Sequence, residues 1–221
     1  MRKPALTFVS LCLLLAGCGK KYSEIAQQAA EDTPVSATIA VTADNPVEMT
    51  ILDEHPDMSG YQWLESADPS FVTISLEESE RLFSQEGTGV IYYGRTTCPF
   101  CQRALPVLDE VLKEYSITAY YVDVGTGYVD NKQEVLLDSS DGKLVYHALV
   151  SYIKDTFTVL DSNGNPSFNI PLVIAVKDGK ITGSHMALLN DIVISSEDYE
   201  LTDYEKDEMR AVYESVIESL H

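Results

Sequence analysis

The chain alternates between short apolar runs and amphipathic stretches, and the two periods separate strands from helices. After Pro69, Phe71 to Ile74 reads as a short strand. Ser75 then stands three residues before Glu78, a capping-box spacing, and Leu76, Ser79, Leu82 and Phe83 give the following helix one inward face, ended by Gly87 and Gly89. Gly89 to Tyr93 reads as a buried strand and Gly94 to Thr97 as the turn that leaves it. Pro99 opens a helix, a position where a missing N–H costs nothing. Leu105, Leu108, Val111 and Leu112 form its core stripe, and Pro106 inside it predicts a kink. Ile117 to Val124 is the next strand, ending at Gly125 and Gly127.

Residues 128 to 169 show weaker periodicity. A helix over Lys143 to Phe157 is predicted with Leu144, Ala148, Tyr152 and Thr156 or Val159 as its face, preceded by a shorter one near Lys132 to Leu137. Asp161 to Pro166 is a turn by composition. Ile170 to Lys177 and Lys180 to His185 read as paired strands around Asp178-Gly179, a strong hairpin signal. Leu201 to Leu220 reads as a closing helix with Tyr204, Met209, Val212, Val216, Ile217 and Leu220 inward. Strands alternating with helices predict an α/β domain over residues 69–221. Its mixed central sheet is flanked by helices, with a helical insertion at about 128–169 before the last hairpin.

Before Pro69 the pattern changes. Residues 19 to 68 lack sustained periodicity, carry Pro34, Pro46 and Pro56, and read as a largely flexible tether. A short helix over Tyr22 to Ala30 and packing of Tyr61, Trp63 and Leu64 on the domain edge fit within that reading. The first residues differ again. Arg2 and Lys3 precede an apolar run from Ala5 to Leu15, too short to span a bilayer permanently. It ends in Leu15-Ala-Gly-Cys18, which resembles the cleavage box of bacterial lipoproteins. That resemblance implies a signal peptide over residues 1–17, lipid on Cys18, and a tether over 18–68 that holds the domain at the extracellular face of the cell membrane.

Charge narrows the partners. Asp and Glu number 35 against 15 Lys and Arg. So acidic a surface repels nucleic acid and anionic lipid, so attachment to the membrane falls to the lipid anchor. The chain has four cysteines. Cleavage removes Cys12 and lipidation uses Cys18, which leaves Cys98 and Cys101. A bridge between them closes too small a loop to restrain the unfolded chain as a long-range one does, so the pair reads as chemistry.

Cys98-Pro99-Phe100-Cys101 falls where a strand passes into a helix. A helix N-terminus favours a thiolate through its free N–H groups and its dipole. Cys98 is therefore expected as the exposed attacking thiol. Cys101, on the same side and beneath it, is expected to resolve the mixed disulfide. Pro99 holds the first turn, and Phe100 is expected beside the site in reach of a peptide. Arg95 and Arg103 flank the motif and read first as solvated charges, with Coulomb attraction on the thiol as the functional alternative. His147 and His185 add too few convergent ligands for a metal site. No metal and no cofactor is implied.

The residues from about 71 to 220 resemble the thioredoxin superfamily, most nearly secreted thioredoxin-like lipoproteins of Gram-positive bacteria. Tyr92-Tyr-Gly-Arg-Thr-Thr-Cys-Pro-Phe-Cys-Gln102 is similar to proteins described as bacteriocin transport accessory proteins. The resemblance implies a thioredoxin-like fold and a cis-proline at Ile170-Pro171 facing the dithiol. It also implies a substrate surface at Thr97, Phe100 and Ile170. Two positions depart from thioredoxin: Thr97 stands where it has Trp, and Tyr92 where it has a buried acid. The implied function is thiol–disulfide exchange on the thiols or disulfides of exported proteins, with a membrane redox partner as a further possibility. The alternative is an accessory lipoprotein that uses the fold to bind within an export or surface complex.

Overall fold

The computed structural model describes residues 47–124, 140–157, 159–161 and 163–221. The leader, Cys18, the helix expected at 22–30 and the one expected near 132–137 lie outside the described residues. In chain order the elements are β1 (Phe71–Thr73), α1 (Leu76–Ser84), β2 (Gly89–Gly94), α2 (Pro99–Glu114), β3 (Ala119–Asp123) and α3 (Ser140–Ile153). They are followed by β4 (Val159–Leu160), β5 (Pro166–Ser167), β6 (Leu172–Lys177), β7 (Lys180–Met186) and α4 (Asp203–Glu218).

The chain is an α/β protein with a mixed five-stranded sheet in the order β1-β3-β2-β6-β7. β1 and β2 run parallel to β3, while β6 is antiparallel to both β2 and β7. Residues along each strand divide between two faces. Val90, Tyr92, Ala119, Tyr121, Val173 and Ala175 join one core cluster with α2 and α4. Ile91, Tyr93, Tyr120, Val122, Ile174 and Val176 join the other with α1 and α3. The β6–β7 turn places Asp178 and Gly179 at φ of 49° and 71°, the left-handed pair that a two-residue hairpin requires.

Several expectations shift. The Ser75 hydroxyl caps α1 by accepting from the Glu78 N–H at 3.1 Å. The Glu78 carboxylate, however, turns to the Thr50 N–H at 3.0 Å and to Arg81 at 2.7 Å. α1 ends at Ser84, with Glu86 rather than a glycine in the left-handed position. α3 turns its face by about a residue: Tyr146, Leu149, Val150 and Ile153 are buried, whereas Tyr152 is exposed and stacks on Phe83. In α4, Tyr213 is buried and Tyr204 is exposed. The turn at 161–166 joins a small hairpin, β4 with β5, that the sequence pattern does not announce.

The flexible tether does not extend to residue 68. Met49, Met58 and Tyr61 are buried in the two cores. The Leu52 N–H donates to the Thr73 carbonyl at 2.8 Å and the Thr73 N–H to that of Asp53 at 2.8 Å, so this segment covers the edge of β1. Its three anchors follow no helical or strand period, because each fills a separate site on the domain.

Candidate active site

β2 ends at Gly94, a short turn follows, and α2 begins at Pro99 with Cys98 as its N-cap. That geometry gives Cys98 an extended backbone while its sulfur faces back over the first turn. The sulfur accepts the Cys101 N–H at 3.3 Å. Its pKa is drawn down from 9.0 to about 7. The Cys101 thiol beside it is the main cause. Burial opposes the change, and the N–H groups of Cys101 and Phe100 and the charge of Arg95 add to it. Cys101 is fully buried and its pKa moves up, through burial first and then through its contact with Cys98. The Arg95 N–H and the Tyr92 hydroxyl oppose that rise only in part. Both thiols are free.

The sequence expectation of an exposed Cys98 is corrected: only 5% of the residue is accessible. Its sulfur lies 3.9 Å from the Ile170 carbonyl, so the backbone before Pro171 covers it from above. The Ile170-Pro171 bond is cis. Ile170 is half-buried and Pro171 buried, while Thr97, Pro99 and Phe100 are exposed, Phe100 at 44%. Thr97 and Phe100 thus stand exposed beside a sulfur that the Ile170 carbonyl covers.

Arg95 is half-buried next to the turn, and its charge acts on Cys98. Arg103 is not the solvated charge that its flanking position suggested. It is buried, with Nε donating to Tyr199 O at 2.8 Å, Nη1 to Pro99 O at 2.9 Å and Nη2 to Glu197 O at 2.6 Å. Trp63 lies 4.2 Å from its guanidinium. Its planar fork therefore fastens the loop before α4 to the first turn of α2. Gln102 does similar work on the other side. It donates to the Gly60 carbonyl at 2.7 Å and to the Thr96 carbonyl, and accepts the Gln62 N–H at 2.7 Å.

Beneath the dithiol is a group of phenols that sequence reading did not assemble. Tyr92 stacks on Tyr121 at 5.8 Å, and the Tyr61 and Tyr121 hydroxyls lie 3.1 Å apart. Tyr213 enters from α4. Burial pushes the pKa of all four up, and a charge on Cys101 would push each further. They come from four distant parts of the chain, and only Tyr92 carried a signal, its place six residues before Cys98.

His147 is exposed and His185 packs on Tyr213 at 5.9 Å, so neither joins the dithiol. Among the described residues no three His, Cys, Asp or Glu side chains are grouped to hold a metal. A cavity of about 560 Å³ lies to one side, between Trp63, α2 and the start of α4. Several of its charges are paired across its own wall: Lys113 with Asp109 at 2.6 Å and Lys206 with Glu200 at 2.7 Å, while Arg103 holds carbonyls. No protein-family model matches the chain, and no curated protein matches it.

Proposed function

We propose that this chain is a thiol–disulfide oxidoreductase of exported or cell-surface proteins, with a thioredoxin-like fold and Cys98-Pro-Phe-Cys101 as its reactive centre. The observation that carries the reading is the division of labour between two adjacent thiols. Cys98, at about 7, is substantially thiolate at neutral pH, while Cys101 holds its proton. A thiolate is the nucleophile in exchange, so the pair has one attacker and one reserve. Cys98 attacks a partner disulfide and forms a mixed disulfide, releasing one partner sulfur. Cys101 then attacks Cys98, forms the internal disulfide and releases the second.

The Ile170 carbonyl supports the same reading, because it lies against the sulfur where an extended peptide would pair. Phe100 and Thr97 offer the exposed rim of that surface. The lipoprotein-like leader and Cys18 in the sequence support a reaction on the outer face of the membrane, where partner disulfides persist.

The test is turnover of insulin or a disulfide peptide by the full chain, with Cys98→Ser beside it. Wild-type turnover that falls at least a hundredfold in Cys98→Ser is expected. Undiminished turnover in that variant removes the assigned nucleophile and leaves the accessory-protein reading. A measured reduction potential assigns the direction of exchange.

A further inference from the structure

The loop between β7 and α4 passes the dithiol on one side. It leaves β7 beside the proline that precedes β6, where the Ala187 N–H donates to the Pro171 carbonyl at 2.8 Å. It ends at the first turn of α2. There Arg103 gathers the carbonyls of Ser196, Glu197 and Tyr199 and also donates to that of Pro99, the residue after Cys98. Between those two points Leu188 and Ile192 are buried in the core that α2 shares. The Glu197 backbone is thus one guanidinium group away from the backbone that follows the attacking cysteine. With its apolar anchors turned inward, the loop leaves Asp191, Val193, Glu197 and Asp198 exposed.

The charge along this rim has one sign. Residues 187–200 carry four carboxylates and no Lys or Arg. Glu200 is paired with Lys206, and the charge of Arg103 offsets Asp198. Asp191 and Glu197 form no ion pair among the described residues. On the other flank Gln102 joins Thr96 to Gly60 and Gln62, which seats an exposed Asp57 on the same side of the turn. The nearby cations do not cancel this field at the surface. Arg103 is buried under carbonyls, and Arg95 is half-buried and acts on Cys98 itself. Val193 at 70% and Phe100 at 44% exposure add two apolar side chains to the rim. A partner that approaches Cys98 therefore meets carboxylates and a thiolate. Such a field concentrates cations and repels anions, and it acts on the encounter more than on the chemical step.

We infer that the exchange centre selects disulfides carried in positively charged peptide segments, with Asp191 and Glu197 as specificity-determining residues. This rests on the dithiol acting in exchange and adds the charge of its partner. Cys98 Sγ forms a bond to one partner sulfur, the partner disulfide breaks, and the departing sulfur keeps the electron pair and takes a proton from water. The rim carboxylates take no part in that step. They set which disulfides arrive. The overall negative charge of the chain does not do the same at ordinary salt, because the Debye length at 0.1 M is about 10 Å. Glu86 and Asp178 lie beyond the Gly89 end of β2, which is about 17 Å along the strand from Gly94.

The experiment uses the full-length chain with Cys12→Ser and Cys18→Ser, reduced and mixed with three small disulfides: cystamine, a dication; hydroxyethyl disulfide, neutral; and dithiodipropionate, a dianion. Loss of free thiol is followed by alkylation and mass spectrometry. Each rate is divided by that of the same disulfide with the neutral thiol N-acetylcysteine amide, which removes differences in intrinsic reactivity. The wild type is expected to prefer cystamine over dithiodipropionate at least fivefold at 0.1 M salt and less than twofold at 1 M. Asp191→Asn with Glu197→Gln is expected to reduce the 0.1 M preference to below half its wild-type value. Glu86→Gln with Asp178→Asn removes the same charge at the far end of β2 and is expected to keep the preference. Both double variants should consume hydroxyethyl disulfide within twofold of the wild-type rate, which shows an intact fold and nucleophile. A wild-type preference below twofold at 0.1 M overturns the inference, as does an equal loss in the two double variants. Slowing of the neutral disulfide by the rim variant also overturns it, since the loop would then act through shape. A wild type that consumes none of the three disulfides overturns the exchange reading itself, which is a separate result.

Discussion

Tyr92 and Tyr93 are consecutive, both fully buried, and neither hydroxyl has a formed hydrogen bond. They nevertheless occupy different chemistry, because successive strand residues point to opposite faces. Tyr92 lies among two thiols and three other phenols, between β2, α2 and α4. Tyr93 lies beside Phe168 at 5.3 Å, in a layer filled by Leu149, Val150 and Ile153 of α3. Burial is equal on the two sides, so burial does not distinguish a structural layer from a chemical one. What differs is the company: phenols are buried on both faces, but both described thiols lie on one. The sheet acts as a partition, with the two thiols gathered on the face where α2 starts.

The strongest way to break that partition is to damage the apolar side. Leu149 is fully buried in the α3 layer, and Leu149→Ala removes packing that the surroundings cannot wholly refill. A loss of about 2–5 kcal/mol is expected, read as a lower urea midpoint. Leu108→Ala, fully buried in α2 on the other side, should cost a similar amount. The Cys98 alkylation midpoint, near pH 7, should not move in Leu149→Ala. If that midpoint rises while the variant remains folded, the two layers are coupled and the partition is wrong.

The two layers were not equally legible in the sequence. The strands of both were, because short continuous apolar runs and flanking turn residues are local signals. The dithiol was legible for the same reason: both cysteines sit within one helical turn, after a strand and a turn. Pro171 was expected from the thioredoxin resemblance, and the strand and Asp178-Gly179 turn that follow it located the match. The α3 face was misread because Ala148 and Tyr152 fit helical spacing as well as Tyr146, Leu149, Val150 and Ile153 do. A helix apolar on several sides offers no unique stripe. Arg103 was misread because a charged residue on an open helix turn looks solvated. Besides the Pro99 carbonyl one turn back, the carbonyls that hold it come from the distant loop at 196–199. The phenol cluster was illegible because Tyr61, Tyr121 and Tyr213 converge through tertiary folding, and nothing in their local sequence marks it.

Titration sharpens the chemical side by a smaller but signed effect. In Cys101→Ala the neighbour that contributes most to lowering the Cys98 pKa is gone, so the alkylation midpoint should rise from about 7 toward 9.0. The same shift has a consequence for stability. Cys98 is more acidic folded than unfolded, so between about 7 and 9.0 the unfolded chain holds a proton that the folded chain has lost. Stability of the reduced protein therefore rises with pH across that window, and this contribution is lost as pH falls through about 7. Cys101 acts in the opposite sense above 9.0, because the folded protein keeps a proton that the unfolded chain releases. Urea midpoints of reduced wild type and Cys98→Ser across this range isolate the first effect as their difference. A difference that does not vary with pH would contradict the assignment.

The smallest effect tests how charge reaches the dithiol. Arg95 is the last of the influences that lower the Cys98 pKa, and it acts by Coulomb attraction from a half-buried position. Arg95→Gln keeps the backbone N–H that faces Cys101 and removes the charge. The Cys98 midpoint should rise, but by less than in Cys101→Ala. The two shifts should also separate by salt. A half-exposed charge is screened at high ionic strength, where the Debye length falls to about 3 Å at 1 M, so the Arg95→Gln shift should shrink as salt is added. The Cys101 effect acts at contact between buried neighbours and should persist. An Arg95→Gln shift that equals that of Cys101→Ala and ignores salt would mean that Arg95 shapes the turn instead of supplying a field. The chemical layer would then depend on backbone geometry alone, as the apolar layer does.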